Sequence, residues 1–110
     1  MEAQVKSFRN FDLQKLIPSE KQFFALHVNS NVMSGAGISK GDQVIIDRQV
    51  MAKNGDIIIA CLGEDLLIRR LVVEGRVPTL IGQGVPVAPL TLSSEDMVWG
   101  VVWYVLKPLD

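Results

Sequence analysis

The chain is poor in the residues from which most active sites are built. Its 110 residues include one cysteine, Cys61, and one histidine, His27. A single thiol excludes an intramolecular disulfide framework and a cysteine-built zinc cluster, and it fits a reducing compartment. A single imidazole excludes a site held by several histidines. Charge of one sign is lacking too. Lys plus Arg number 11 against 12 Asp plus Glu, a formal net charge of -1 with no basic run, so direct sequence-specific nucleic-acid binding through a phosphate-gripping groove is not expected. No apolar run approaches the ~18 residues that cross a bilayer. Met1 to Asn10 carries Glu2, Lys6 and Arg9 and no apolar block, which argues against a secretory signal or an anchor. The expectation is a soluble, cytoplasmic protein with no cofactor, no metal and no membrane contact.

No long helical stretch is present either, and what remains is a β pattern. Residues 1–22 are polar and weakly patterned and read as a flexible N-terminal arm, followed by one domain over 23–110. In that domain, segments rich in Val, Ile and aromatics alternate with Gly, Asn and Asp turn signals. Six strands are expected: Phe23 to Val28, Gln43 to Arg48, Asp56 to Leu62, Leu66 to Val73, Val77 to Ile81 and Met97 to Lys107. The second and third of the turns between them, Lys53-Asn54-Gly55-Asp56 and Leu62-Gly63-Glu64-Asp65, each place a Gly where positive φ is needed. Asp56 to Leu62 and Leu66 to Val73 read as a hairpin, and the unbroken apolar block Ile57-Ile58-Ile59-Ala60 calls for cover on both faces. The last segment is long and apolar on both sides of the pleat. So small a chain has little core to spare for it, and one face or edge is expected to pair with another subunit, with Gly100 marking a bend. Trp99, Val101, Trp103 and Val105, on one face of a regular strand, are the candidate dimer or partner residues.

These blocks, in order, resemble the self-cleaving LexA/UmuD family. The residues that carry the likeness are Phe24-Ala25-Leu26-His27-Val28, Met33, Gly37-Ile38-Ser39-Lys40-Gly41-Asp42, Val44-Ile45-Ile46-Asp47-Arg48 and Asn54-Gly55-Asp56-Ile57. They continue with Leu67-Ile68-Arg69-Arg70-Leu71, Pro89 to Asp96 and Trp99-Gly100-Val101-Val102. The resemblance implies a compact, mostly β domain of the LexA/signal-peptidase type. The stretch from Pro89 to Asp96 is nearer to UmuD than to LexA-type repressors.

Members of that family cut their own arm with a serine followed by Met and a lysine in the second hairpin strand. A hydroxyl needs a base to become a nucleophile, and a lysine serves only when burial keeps it neutral. Here the serine position falls on Val32, within Asn29-Ser30-Asn31-Val32-Met33, and the lysine position on Arg69. Valine has no nucleophilic atom and arginine keeps its proton, so the catalytic dyad is degenerate at both positions. Ser30 and Ser34 lie two residues from Val32, ~6 to 7 Å along an extended chain, and Lys15, Lys21, Lys40, Lys53 and Lys107 sit in the arm, in turns or at the end of the last strand. The arm contains no Gly before Phe23, hence no family-type scissile bond, and no helix-turn-helix signal lies upstream. The alternatives left open are an active serine peptidase using a displaced serine, and a regulator that forms mixed dimers with active family members.

What the resemblance implies is a homodimeric, catalytically silent, UmuD-like accessory subunit. Its partner would be a UmuC-type Y-family DNA polymerase in SOS mutagenesis and translesion synthesis. The sliding clamp, a recombinase filament and other LexA/UmuD members are further candidate partners. Val32 reads as an apolar plug or a retained ligand contact. Arg69 is expected to pair with Asp42, Asp47, Asp56 or Glu64, or with a partner's backbone, because a bare buried guanidinium is costly. His27 reads as a solvent-facing strand residue, Cys61 as a buried one, and Ser93-Ser94-Glu95-Asp96 as a solvated turn or a partner contact.

Overall fold

The corner between Leu62 and Asp65 shows how local chemistry sets the register. Leu62 and Asp65 are the last paired residues of two strands, so the loop is only Gly63 and Glu64, and Gly63 takes φ 64. A two-residue hairpin turn demands positive φ at its first position, where any side chain is strained. Asp65, expected in the turn, thus belongs to the strand.

The computed structural model describes residues 5–7 and 23–109. Eight strands form one antiparallel sheet: β1 (Val5–Ser7), β2 (Phe23–Val28), β3 (Gln43–Asp47), β4 (Ile57–Leu62), β5 (Asp65–Glu74), β6 (Val77–Ile81), β7 (Leu90–Thr91) and β8 (Val98–Leu106). Their order is β1-β2-β3-β8-β4-β5-β6-β7. The six expected strands are all present with ends shifted by a residue or less. The fold class is therefore mostly β, and among the described residues the helical content is two single-turn 3-10 segments, Ser34–Ala36 and Glu95–Met97. Two short strands escaped the pattern because two or three residues carry no periodicity: β7, and β1 within the expected arm. The rest of that arm lies outside the described residues.

Apolar cover lies on both sides of the sheet. Leu26, Val28, Val44, Ile46, Ile59 and Ile68 face one way and are capped by Val32, Met33 and Ile38 from the β2–β3 connection. Ile58, Ala60, Leu71, Leu80 and Val101 face the other way beneath Val50, Ala52, Leu90 and Leu92. Ile58 and Ile59 are both fully buried, on opposite faces, as the Ile57–Ala60 block required. Full burial of each such side chain stabilises by about 1.5–3 kcal/mol, which holds the long capping connection down.

β8 departs from the regular strand expected of it. It is an interior strand that pairs with β3 over Val101–Leu106 and with β4 over Val98–Val101. Both ladders break register, passing over Trp103 on the β3 side and Trp99 on the β4 side. A bulge re-aims the side chain it carries, so the two tryptophans do not share a face. Trp99 packs beside Phe24 at 5.5 Å and Trp103 beside Phe23 at 4.9 Å, and these neighbours in β2 point to opposite sides. Gly100 lies between the bulges for lack of room: a Cβ there would run into Ile46 Cγ2 and come within 3.2 Å of the Asp47 carbonyl.

Candidate functional site

The β2–β3 connection is where the chemistry of this fold would sit. Val28 leads out of β2, and the chain folds into a set of tight turns. Ser34 N donates to Asn31 O, Gly37 N to Ser34 O and Ile38 N to Met33 O, with Gly37 at φ 86 closing the 3-10 turn. The connection is then tied to the segment after β6, where Gln83 N donates to Val32 O at 2.9 Å and Gly35 N donates to Gln83 O at 2.6 Å. A Cβ on Gly82 would lie 2.9 Å from Val32 Cγ2, so glycine is what allows the two segments to close. Arg70 braces the same place, with Nε on Gln83 Oε1 and Nη1 on the Gly55 carbonyl, each at 2.6 Å.

Val32 is 1% exposed and packs in one apolar cluster with Met33 and Ile68. The position is filled with hydrocarbon. Of the neighbouring hydroxyls, Ser30 Oγ accepts from the Val32 amide at 3.1 Å and Ser34 is exposed in the 3-10 turn. Of the lysines within the described residues, Lys40 and Lys53 are exposed in turns, and Lys107 Nζ donates to Asp42 Oδ2 at 2.6 Å. Lys15 and Lys21 lie outside the described residues.

Arg69 follows Ile68 on β5, but the strand alternates, and the register with Ile58 puts it on the opposite face from Ile68. It is 4% exposed, and its Nη1 donates to the Ile68 carbonyl at 2.9 Å. Burial pushes its pKa below the ordinary arginine value, yet a guanidinium holds its proton at any accessible pH. Its row across the sheet runs Arg69, Ile58, Val101, Asp47, so Ile58 and Val101 stand between the two buried charges. Of the other acids considered for it, Asp42 holds Lys107, Asp56 Oδ2 accepts from the Lys53 amide and Glu64 is exposed in the hairpin turn.

The candidate partner residues scatter. Val101 is buried at 6%, while Trp99 and Val105 are half-buried against the Val32 side of the sheet. Trp103 is exposed, and with it Tyr104 at 53% and Leu106 at 40%, two residues that a regular alternation did not single out. Among the described residues, β4 stops pairing with β8 at Val101, so Val102–Leu106 has a strand neighbour on the β3 side alone. Also unforeseen is Arg48, whose guanidinium lies 4.2 Å over the Trp99 ring and whose Nε donates to the Trp99 carbonyl at 2.8 Å. Nothing in the spacing of residues 48 and 99 could have signalled that pair.

His27 is half-buried, 3.4 Å from the Gln43 side-chain amide, and Cys61 is half-exposed near the end of β4 rather than buried. Ser93, Ser94 and Glu95 are exposed, in and beside the second 3-10 turn. On the face away from Val32 an apolar groove of about 460 Å³ runs between Val50, Met51, Val73, Pro78, Leu92 and Val98. Among the described residues no group of three metal-ligating side chains comes together, and no helix is long and apolar enough to cross a membrane.

Comparison with known proteins agrees with this geometry. Residues 2–102 match the sequence model of the Peptidase S24-like family. The LexA repressor of Oleidesulfovibrio alaskensis is 34% identical over 73 residues, covering 66% of this chain and 35% of that protein. The LexA repressor of an Anaeromyxobacter species is 30% identical over 98 residues, 86% of this chain and 42% of that protein. That of Pelotomaculum thermopropionicum is 46% identical over 57 residues, 51% of this chain and 28% of that protein. The chain thus spans well under half the length of these curated relatives. With nearly its whole length matched and the expected β domain in place, the chain belongs to the Peptidase S24-like family, the LexA/UmuD group of proteins.

Proposed function

We propose that this chain is a catalytically silent member of its family that works by association. The observation that carries the reading is the state of positions 32 and 69: a buried valine in place of a nucleophile and a buried, protonated arginine in place of a base. Neither can take part in peptide hydrolysis. Self-association uses the open edge of Val102–Leu106, where a second copy adds its own β8 about a two-fold axis. Tyr104 and Leu106 supply the apolar contact. The dimer acts as a UmuD-like accessory subunit for an error-prone, UmuC-type DNA polymerase. Contact with DNA is indirect.

Two experiments test this. A fluorophosphonate probe leaves the purified protein unlabelled; labelling at Ser30 or Ser34 would establish an active peptidase with a displaced serine. Affinity capture from DNA-damaged host cells, read by mass spectrometry, recovers a Y-family polymerase. A second reading has support from the names of the relatives above, all LexA repressors. If capture yields a LexA-type relative in place of a polymerase, the chain is a regulator that forms mixed dimers.

A further inference from the structure

The end of β8 is fastened at one point remote from its apolar contacts. The last β3–β8 pair is Gln43 with Leu106, and the residues just beyond it, Asp42 and Lys107, form an ion pair of 2.6 Å. The partners differ sharply in environment. The Asp42 side chain is 5% exposed and that of Lys107 56%. Asp42 is built into the body of the domain: Oδ2 also accepts from Ser39 N at 2.9 Å, its carbonyl accepts from Val28 N, and the turn is tied to the Val32 connection through Lys40 N on Asn31 Oδ1. Lys107, by contrast, is held mainly by this carboxylate. A buried carboxylate that loses its cation is left with an uncompensated charge, whereas an exposed ammonium merely returns to water.

Among the described residues Val102–Leu106 has a strand on one side only, so its last residues are held by the β3 ladder, by Val105 against its apolar cluster and, at the very end, by Lys107. We propose that the Asp42–Lys107 pair is a clasp that holds the C-terminal half of β8 on β3 and thereby presents its open edge for self-association. Lys107 is a positioning residue and need not touch the second copy. With the clasp open, the Tyr104–Leu106 end of β8 opens from β3 more often and draws Val105 from the margin of its apolar cluster, while the buried members of both clusters stay closed. Among the described residues, the charged and titratable groups beside the clasp include Lys40 in the same turn and His27 beside Gln43 on β2. The use made of the edge rests on the dimer proposed above; the fastening of the strand end does not.

The test compares the full-length chain with Lys107→Met, which keeps the stem and removes the charge, and with Lys107→Arg, which restores it. Hydrogen–deuterium exchange reports on the strand end, and sedimentation equilibrium on the dimer. Exchange at Tyr104–Leu106 rises about tenfold or more in Lys107→Met, amides of β4 are unchanged, and Lys107→Arg stays close to the parent. In the same variant the dimer dissociation constant rises about tenfold. Unchanged exchange at Tyr104–Leu106 overturns the clasp whatever the oligomeric state. A parent chain that is monomeric at every concentration overturns the dimer reading instead, and exchange still decides on the clasp.

Discussion

Serine at position 32 would restore the atom that a family nucleophile requires, and the structure gives the consequence. Val32 is 1% exposed, packed against Met33 and Ile68 with Gly82 at its back. Val32→Ala removes two methyl groups and leaves a small cavity, a loss of about 2 kcal/mol. Val32→Thr keeps the shape and buries a hydroxyl without a partner, a loss of about 1–3 kcal/mol. Val32→Ser suffers both, about 3–5 kcal/mol, a large share of the ~5–15 kcal/mol that stabilises a domain of this size. Urea denaturation followed by tryptophan fluorescence gives the three values. Val32→Ser remains inert to a fluorophosphonate, because Arg69 still offers no base. A Val32→Ser variant as stable as the parent, within about 0.5 kcal/mol, would refute the reasoning. It would mean that position 32 opens onto solvent as a cleft residue does.

Further predictions concern the strands that frame the site. Gly100→Ala forces a methyl group against Ile46 Cγ2 in the centre of the sheet and destabilises by about 1–3 kcal/mol, measured by the same urea method. Arg48→Ala uncovers the Trp99 ring, which shifts tryptophan emission to the red and costs about 0.5–1 kcal/mol. Acid should act through Asp42. Burial raises its pKa, but the Lys107 and Ser39 hydrogen bonds outweigh that and hold the carboxyl below its ordinary 3.8. A group whose folded pKa is lowered stabilises above its unfolded value and loses that contribution as pH falls through the folded one. Stability should therefore fall as the pH drops below about 4, and Lys107→Met should flatten that part of the profile, measured by urea midpoints across the range.

What was legible from the chain follows from the range of the forces involved. Strand periodicity, turn glycines and the unbroken Ile57–Ala60 block are local, so the six main strands, the hairpin and the two-sided cover of β4 could be read directly. The chemistry of Val32 and Arg69 was equally plain, because it belongs to the residue: valine carries no nucleophile and arginine no free base in any fold. β1 and β7 were missed because they are too short to repeat.

The rest depended on which strands meet. That β8 lies between β3 and β4, that its two ladders break register at Trp103 and Trp99, and that these rings consequently face opposite ways are properties of the sheet as a whole. A single extra residue inverts the alternation for everything beyond it, so no pattern within β8 alone could place Trp99, Val101, Trp103 and Val105. Arg48 over Trp99 and Asp42 with Lys107 join residues 51 and 65 positions apart. Composition and spacing set which side-chain groups positions 32 and 69 carry; the surfaces the chain can offer to a partner came from tertiary pairing, because only there do distant residues become neighbours.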